Sequence, residues 1–217
     1  MLRAACCVLL IACCLLVVSC AKTVTQIVTY GDQMAVEITL RGTMEPNANR
    51  YFLVLASNSN YKIPLPSPDV LDSAPEFIEP GMTPFLGSPE AYYTNFYSTW
   101  AGYVVVGPEG FSLMKGPFIQ NQPITYESSA NLGEISTKIK FNFELSRIFG
   151  AAVPSTIYFD FISVPWPTDA AKIPADHLTS TNACISKIAG STVTISDEQN
   201  DNLDPARDIL SCTVTIQ

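Results

Sequence analysis

The chain has 217 residues, of which 47% are hydrophobic, so it is long enough to bury a sizeable core. It carries 12 Lys+Arg against 20 Asp+Glu, a formal net charge of −8. Nucleic-acid binding requires clustered cations, and the densest basic pair in this chain is Lys138 and Lys140. The composition therefore excludes nucleic acid as a partner.

The first twenty residues, MLRAACCVLLIACCLLVVSC, form a segment of their own. One positive charge, Arg3, precedes an apolar run of 15 residues from Ala4 to Val18. A membrane-spanning helix needs about 20 apolar residues, so the run is short for a span. We predict that residues 1–19 are an export signal ending before Cys20. A membrane span, a core helix and an ordinary secretory signal cut beside Cys20 are the alternatives.

The end of this segment, Val17-Val18-Ser19-Cys20, resembles the lipobox of bacterial lipoproteins, in which the chain is cut before the cysteine. The resemblance implies that Cys20 becomes an acylated N-terminus, which several acyl chains hold firmly at a bilayer. It implies an exported protein anchored in the cell membrane or outer membrane. Ala21 is not the aspartate that can signal inner-membrane retention in this family, which favours the outer membrane.

Residues 20–32 are predicted as a short tether and residues 33–217 as one domain. From Gln33 onward, apolar and polar residues alternate, which predicts a half-buried strand. Residues 50–57 are apolar on both faces and predict a central strand. Because only a turn separates the two, we expect them to pair as a hairpin. The apolar face of the first strand consists of Met34, Val36, Ile38 and Leu40.

Residues 58–95 differ from the rest of the chain. They contain seven prolines and few periodic apolar positions. Proline removes a backbone donor and interrupts both helices and strand pairing. This stretch therefore predicts a long irregular loop over the surface.

The remaining pattern predicts further strands and very little helix. About eight strands in total, separated by turns, predict an all-β fold: a single antiparallel β-sandwich with a long proline-rich loop. The inward face of one strand, Ile139, Phe141 and Phe143, is expected to be deep core. A weak pattern at 168–183 is compatible with a short helix. The later strands are predicted at 96–107, 110–115, 138–145, 155–164, 192–196 and 210–216, with one helical turn at 146–150.

Five of the seven cysteines lie within the first twenty residues, which leaves Cys184 and Cys212 in the domain. In an exported protein two remaining thiols commonly pair, so a disulfide between them is predicted. The alternative is two separate buried thiols that act as small apolar residues.

Aromatic residues near the end of the proline-rich loop are candidates for ligand binding. Exposed rings can stack on the apolar faces of sugars, and the alternative is that these rings fill the core. The candidate residues are Tyr92, Tyr93, Tyr97, Trp100 and Trp166.

Catalytic patterns are weak. His177 is the single histidine, and its neighbour Asp176 is too close in sequence to orient the ring in a Ser-His-Asp triad. Glu144 and Asp160 are the strand-borne acids that a glycoside hydrolase could use, but both are expected on polar strand faces. We therefore predict no catalytic residues.

An acidic run at 197–204 is a weak candidate for a metal site. Asp197, Asp201 and Asp204 could supply oxygen ligands for Ca²⁺. The run departs from the helix–loop–helix calcium pattern, because Asn202 replaces the required glycine and Asp208 the closing glutamate. A solvated acidic turn is the alternative, and no cofactor is predicted.

These observations together predict a membrane-anchored cell-envelope lipoprotein that is not an enzyme. Its partners would be the membrane, through the acyl chains, and a glycan or an envelope protein. Its β-sandwich would have a structural role or bind such a ligand. A carbohydrate-binding module is the alternative function, and a glycoside hydrolase-like enzyme is the third.

Overall fold

A computed structural model describes residues 29–61, 63, 99–117, 125–128, 133–166, 174–178 and 183–217. Two antiparallel sheets pack face to face, which confirms the predicted all-β sandwich. The described strands are β1 (Gln33–Leu40), β2 (Asn49–Ala56), β3 (Gly102–Gly107), β4 (Gly110–Lys115), β5 (Thr125–Ser128), β6 (Lys138–Glu144), β7 (Thr156–Pro165), β8 (Asp176–His177), β9 (Cys184–Ser186), β10 (Thr192–Ser196) and β11 (Ile209–Ile216).

The smaller sheet has four strands in the order β10-β11-β1-β6. Its strands are buried on one face only, because apolar and polar residues alternate along them. Strand β1 is central, with Met34 opposite Ile216 on β11 and opposite Phe143 on β6. The outer face of this sheet is polar and carries paired threonines, such as Thr194 and Thr213 with hydroxyl oxygens 2.9 Å apart.

The larger sheet has the strand order β5-β4-β3-β2-β7-β8, and β9 also pairs with β7. Strands β2 and β7 are apolar on both faces, and both of their faces are buried. Tyr51 and Leu53 of β2 join the core between the two sheets, whereas Phe52 and Val54 belong to a second cluster. Because successive side chains of a strand point to opposite faces, this second cluster covers the outer face of the larger sheet.

The pairing of the first two strands corrects one prediction. The hairpin expected between residues 33–41 and 50–57 is wrong, because β1 and β2 belong to different sheets. The half-buried β1 joins the sheet with one solvated face, and the fully apolar β2 joins the sheet covered on both faces. The turn between them therefore crosses from one sheet to the other.

Most other predicted strands are confirmed, and so is the helical turn. Helix α1 (Ser146–Phe149) ends at Gly150, whose φ of 69° lies in the left-handed region that glycine adopts at little cost. Strand β8 lies in the region where a short helix was considered, and the short strands β5 and β9 were not predicted. Most of the proline-rich stretch 58–95 lies outside the described residues.

None of the helices in the described part of the chain is both long and apolar enough to cross a membrane.

The predicted core face of β6 is confirmed and provides a test of the packing. Phe141 is 7% exposed, and its ring centroid lies 5.3 Å from that of Phe111 in the opposite sheet. We expect Phe141→Ala to lower the free energy of unfolding by about 3–5 kcal/mol, because it leaves a cavity between the sheets. Urea denaturation measures this loss. Asn142→Ala, at the exposed neighbouring position, is the control and should change stability by less than about 0.5 kcal/mol.

Candidate functional site

The two tryptophans predicted to bind a ligand are buried. Trp100 is 5% exposed and Trp166 is 8% exposed. Trp100 meets Tyr103 edge to face at 5.8 Å, and Trp166 lies 6.1 Å from Phe52, between ring centroids. The prediction of an exposed platform is wrong for these two residues, because they cover the outer face of the larger sheet. The other three candidates, Tyr92, Tyr93 and Tyr97, lie outside the described residues.

The predicted disulfide between Cys184 and Cys212 is not formed, and both thiols are free. Cys212 faces the core between the sheets and is fully buried. Cys184 pairs with Tyr158 on β7, and the neighbouring pair Ile185 and Ile157 faces that core. By strand alternation, Cys184 therefore lies on the opposite face of the larger sheet. Burial raises the pKa of the Cys212 thiol, which acts as a small apolar core residue.

The acidic run at 197–204 forms turns. Each predicted ligand has a local hydrogen bond: Asp197 accepts from the backbone N–H of Glu198, Asp201 from the Gln199 amide and Asp204 from the backbone N–H of Ala206. Among the residues that the structure describes, no group of three or more His, Cys, Asp or Glu side chains is placed to hold a metal ion. The structure therefore does not bring Asp197, Asp201 and Asp204 together as a calcium site.

The acid that holds this loop in place is Asp208, and the sequence pattern does not predict this structural role. The Asp208 side chain is fully buried, and its carboxylate lies 2.5 Å from Nε of Arg41. The Arg41 guanidinium also donates to the carbonyl oxygens of Asn200 and Leu203, and the Asn200 N–H donates to Asp208. This arrangement fastens the 197–208 loop to the end of β1. In the sequence, this ion pair is marked only by an arginine at the end of one predicted strand and an aspartate shortly before another.

A buried acid also lies on the larger sheet, at the edge where β8 and β9 meet β7. Asp160 is 3% exposed, so its predicted place on a polar strand face is wrong. Its Oδ1 accepts the backbone N–H groups of Phe161 at 2.7 Å and Leu178 at 3.3 Å. Burial raises the pKa of Asp160 well above its ordinary value, and these two hydrogen bonds only partly oppose the shift.

Other polar groups surround Asp160 at this edge. His177 is half-buried, with Nδ1 3.9 Å from Oδ2 of Asp160. Asp176 accepts the Ile209 N–H at 2.7 Å, and burial raises its pKa to about 6. The Tyr61 hydroxyl donates to the Phe159 carbonyl at 2.9 Å. Apart from His177, each of these side chains bonds a backbone group: Tyr61 bonds one of β7, and Asp176 bonds one at the start of β11 in the smaller sheet.

The same edge does not assemble a nucleophile and base. His177 lies opposite Ile162 and Cys184 opposite Tyr158, and these two β7 residues are four positions apart. At about 3.3 Å per residue the two side chains start roughly 13 Å from each other, beyond hydrogen-bond reach. Glu144 is exposed on β6 of the smaller sheet. Glu144 and Asp160 therefore belong to different sheets and do not form a facing pair of carboxylates.

The polar face of the smaller sheet contains a shallow groove of about 400 Å³. Glu37 on its floor pairs with Lys140 at 2.8 Å and with Lys138. The threonine hydroxyls of β10 and β11 bond to each other across the strands, for example Thr192 to Thr215 at 3.0 Å. The charged groups and threonine hydroxyls named here therefore satisfy one another, as expected for a solvated sheet surface.

Comparison of the chain with known protein families, with curated proteins and with solved structures found no match.

The Arg41–Asp208 pair gives a test of what holds the acidic loop. We expect Arg41→Ala to lower the free energy of unfolding by about 3 kcal/mol, because it leaves the Asp208 charge buried without its cation. Thermal or urea unfolding measures the loss. Lys138→Ala removes a solvent-exposed ion pair with Glu37 instead and should cost less than about 1 kcal/mol. Equal effects of the two variants would contradict the structural role of Arg41.

Asp160 gives a test through the pH dependence of stability. The ordinary pKa of an aspartate is 3.8, and the pKa of Asp160 in the folded chain is raised above it. Above pH 3.8 the folded chain therefore binds more protons than the unfolded chain. The contribution of Asp160 to the free energy of unfolding is therefore fully present below pH 3.8. It is lost as the pH rises through the folded-state pKa. Asp160→Asn keeps an acceptor oxygen for the two N–H groups and cannot ionise.

We expect the stability of Asp160→Asn relative to the native protein to increase as the pH rises above about 4, as measured by urea unfolding across the neutral range. Asp201→Asn, at an exposed position of the acidic run, is the control and should follow the native curve. Parallel curves for Asp160→Asn and the native protein over this range would show that Asp160 is ionised in the folded state.

Proposed function

We propose that this protein is a lipid-anchored cell-envelope lipoprotein whose β-sandwich has a structural or partner-binding role. Acyl chains on Cys20 hold it at the bilayer surface of the cell membrane or outer membrane. The observation that carries the proposal is the sequence Val17-Val18-Ser19-Cys20 at the end of an apolar run of 15 residues. Two or more acyl chains detach slowly, so one modified residue is sufficient to fix the location.

The distance between the cysteine and the body supports this proposal. Twelve residues separate Cys20 from Gln33, where β1 begins. Even fully extended, twelve residues span only about 40 Å. An anchor at Cys20 would therefore keep the sandwich within a short distance of the headgroups. The net charge of the chain after residue 19 is −9, since Arg3 is the only charged residue before that point, so acyl chains rather than a basic patch would provide the attachment.

The use of the buried polar groups supports a role without catalysis. Asp208 binds Arg41 and the acidic loop, Asp160 binds a backbone N–H of β7, and Asp176 binds the N–H of Ile209 at the start of β11. These are the contacts of residues that hold turns and strand edges. The carbohydrate-binding alternative is weakened because Trp100 and Trp166 are buried. The hydrolase alternative is weakened because Glu144 and Asp160 lie on different sheets.

The experiment that tests the anchor is the substitution Cys20→Ser in the full chain, expressed in a bacterial host and labelled with a palmitate analogue. We expect the native protein to be labelled and to sediment with membranes. The Cys20→Ser protein should lose the label and accumulate as a soluble or unprocessed chain, because the thioether position is gone. Mass spectrometry of the mature N-terminus identifies the modification directly.

The matched control is Cys14→Ser, the same substitution six residues earlier in the apolar run. It should leave labelling, processing and sedimentation unchanged. An unacylated mature N-terminus in the native protein, or full labelling of the Cys20→Ser protein, would refute the proposed function.

A further inference from the structure

The strand registers define two ends of the sandwich. Strand β1 starts beside the end of β11, with Met34 opposite Ile216, and beside the end of β6, with Gln33 opposite Glu144. The described connections at this end are residues 29–32, 57–61, 63, 99–101, 116–117, 145–155 and 186–191, because β2 ends and β3 begins beside the start of β7. We call it the tether end because residue 29 lies there. The opposite end, called the far end, includes residues 41–48, 108–109, 133–137 and 197–208.

The tether end exposes apolar side chains. Tyr30 is 60% exposed and Ile188 is 40% exposed, and the two residues face each other in an isolated antiparallel bridge. The Ala189 N–H donates to the Thr29 carbonyl at 2.9 Å, so the bridge is held by the backbone. The neighbouring loop is joined to this segment by the hydrogen bond from the Lys187 N–H to the Ser155 carbonyl. It exposes two alanines. These are Ala151 and Ala152.

The two ends also differ in charge. Within the four ranges of the far end there are eight acidic and two basic side chains. Within the described ranges of the tether end there is one acid, Asp32, and two bases, Arg147 and Lys187. Asp32 lies 3.2 Å from Nζ of Lys187, so this acid is paired. Among the described residues the far end is therefore the more acidic, and an anionic bilayer surface would repel it more strongly than the described part of the tether end.

We propose that the tether end lies against the lipid headgroups of the membrane that holds Cys20, with Tyr30 and Ile188 in the interfacial region. This inference rests on the proposed function, because the acylated cysteine supplies the attachment. Tyrosine is favoured at membrane interfaces, where its ring is in the apolar layer and its hydroxyl is in water. The occupant of this patch is therefore a lipid surface.

The length of the tether makes a small patch sufficient. Eight residues lie between Cys20 and Thr29, a reach of at most roughly 30 Å. A second contact made by a molecule that is already tethered is intramolecular, with an effective concentration in the millimolar range for short linkers. Two apolar side chains that would bind a bilayer only weakly on their own can then set the orientation of the body.

The experiment measures which end is close to the bilayer. The acylated mature protein, residues 20–217, with Cys184→Ser to remove the accessible thiol, is reconstituted in vesicles of phosphatidylethanolamine and phosphatidylglycerol. An environment-sensitive dye is attached through Ala189→Cys at the tether end or through Gln199→Cys at the far end. Cys212 is fully buried and does not react in the folded protein. Spin-labelled lipid in the headgroup region quenches a dye that lies near it.

We expect strong quenching of the dye at position 189 and none above background at position 199. The far end is one strand length away, roughly 25 Å for eight residues, which is beyond contact with the headgroups. Adding Tyr30→Ser and Ile188→Ser should lower the docked-to-free ratio about tenfold and reduce the quenching at position 189 accordingly. Ile135→Ser, which removes a side chain that is 56% exposed at the far end, is the matched control and should have no effect.

The outcomes separate this inference from the proposed function. If mass spectrometry shows an acylated Cys20 and the two dyes are quenched equally, or the dye at position 199 more strongly, the orientation is wrong and the anchor stands. Unchanged quenching in the Tyr30→Ser, Ile188→Ser protein would likewise overturn the role of these two side chains. An unacylated Cys20 would overturn both the anchor and the orientation that depends on it.

Discussion

Strands β2 and β7 of the larger sheet are buried on both faces, and three of the four buried polar residues in the described part of the chain, Asn49, Asp160 and Ser163, lie on these two strands. A polar atom on a doubly covered strand has no access to water and must bond within the protein. Asp160 does so through two backbone N–H groups at the gap between β8 and β9. Ser163 donates to the Arg207 carbonyl at 2.6 Å, and Tyr51 donates to the Ala206 carbonyl at 2.8 Å. The loop that ends at Asp208 is therefore held from both sheets.

The strands of the smaller sheet could be predicted closely because their alternation records one buried and one solvated face. Strands β1, β6 and β11 follow this alternation of buried and more exposed residues almost without exception. Strand pairing could not be predicted in the same way. Apolar alternation specifies which face is buried but not the neighbour, and β1 pairs with two strands more than one hundred residues along the chain instead of with β2.

The site residues were harder to predict because their environment depends on what covers the outer face of the larger sheet. Trp100, Trp166 and Asp160 lie on that face, and the residues next to them in the sequence do not indicate that the face is covered. Cys184 lies on this outer face and Cys212 lies in the core between the sheets. The larger sheet therefore separates them, although both occur in the last 34 residues. Asp208 gave no motif signal, since its partner Arg41 is 167 positions away. These contacts belong to the tertiary structure alone.

Under the proposed anchor at Cys20, the place where the chain enters the body has a mechanical consequence. The chain enters at the start of β1, a central strand bonded on one side to β11 and on the other to β6. Hydrogen bonds of antiparallel pairs are perpendicular to the strands, so a pull along β1 loads both rows together instead of opening one bond at a time. At its other end β1 leads into Arg41, whose guanidinium holds Asp208 and the acidic loop. Force applied through Cys20 would therefore be distributed over the smaller sheet before it reached the edge around Asp160.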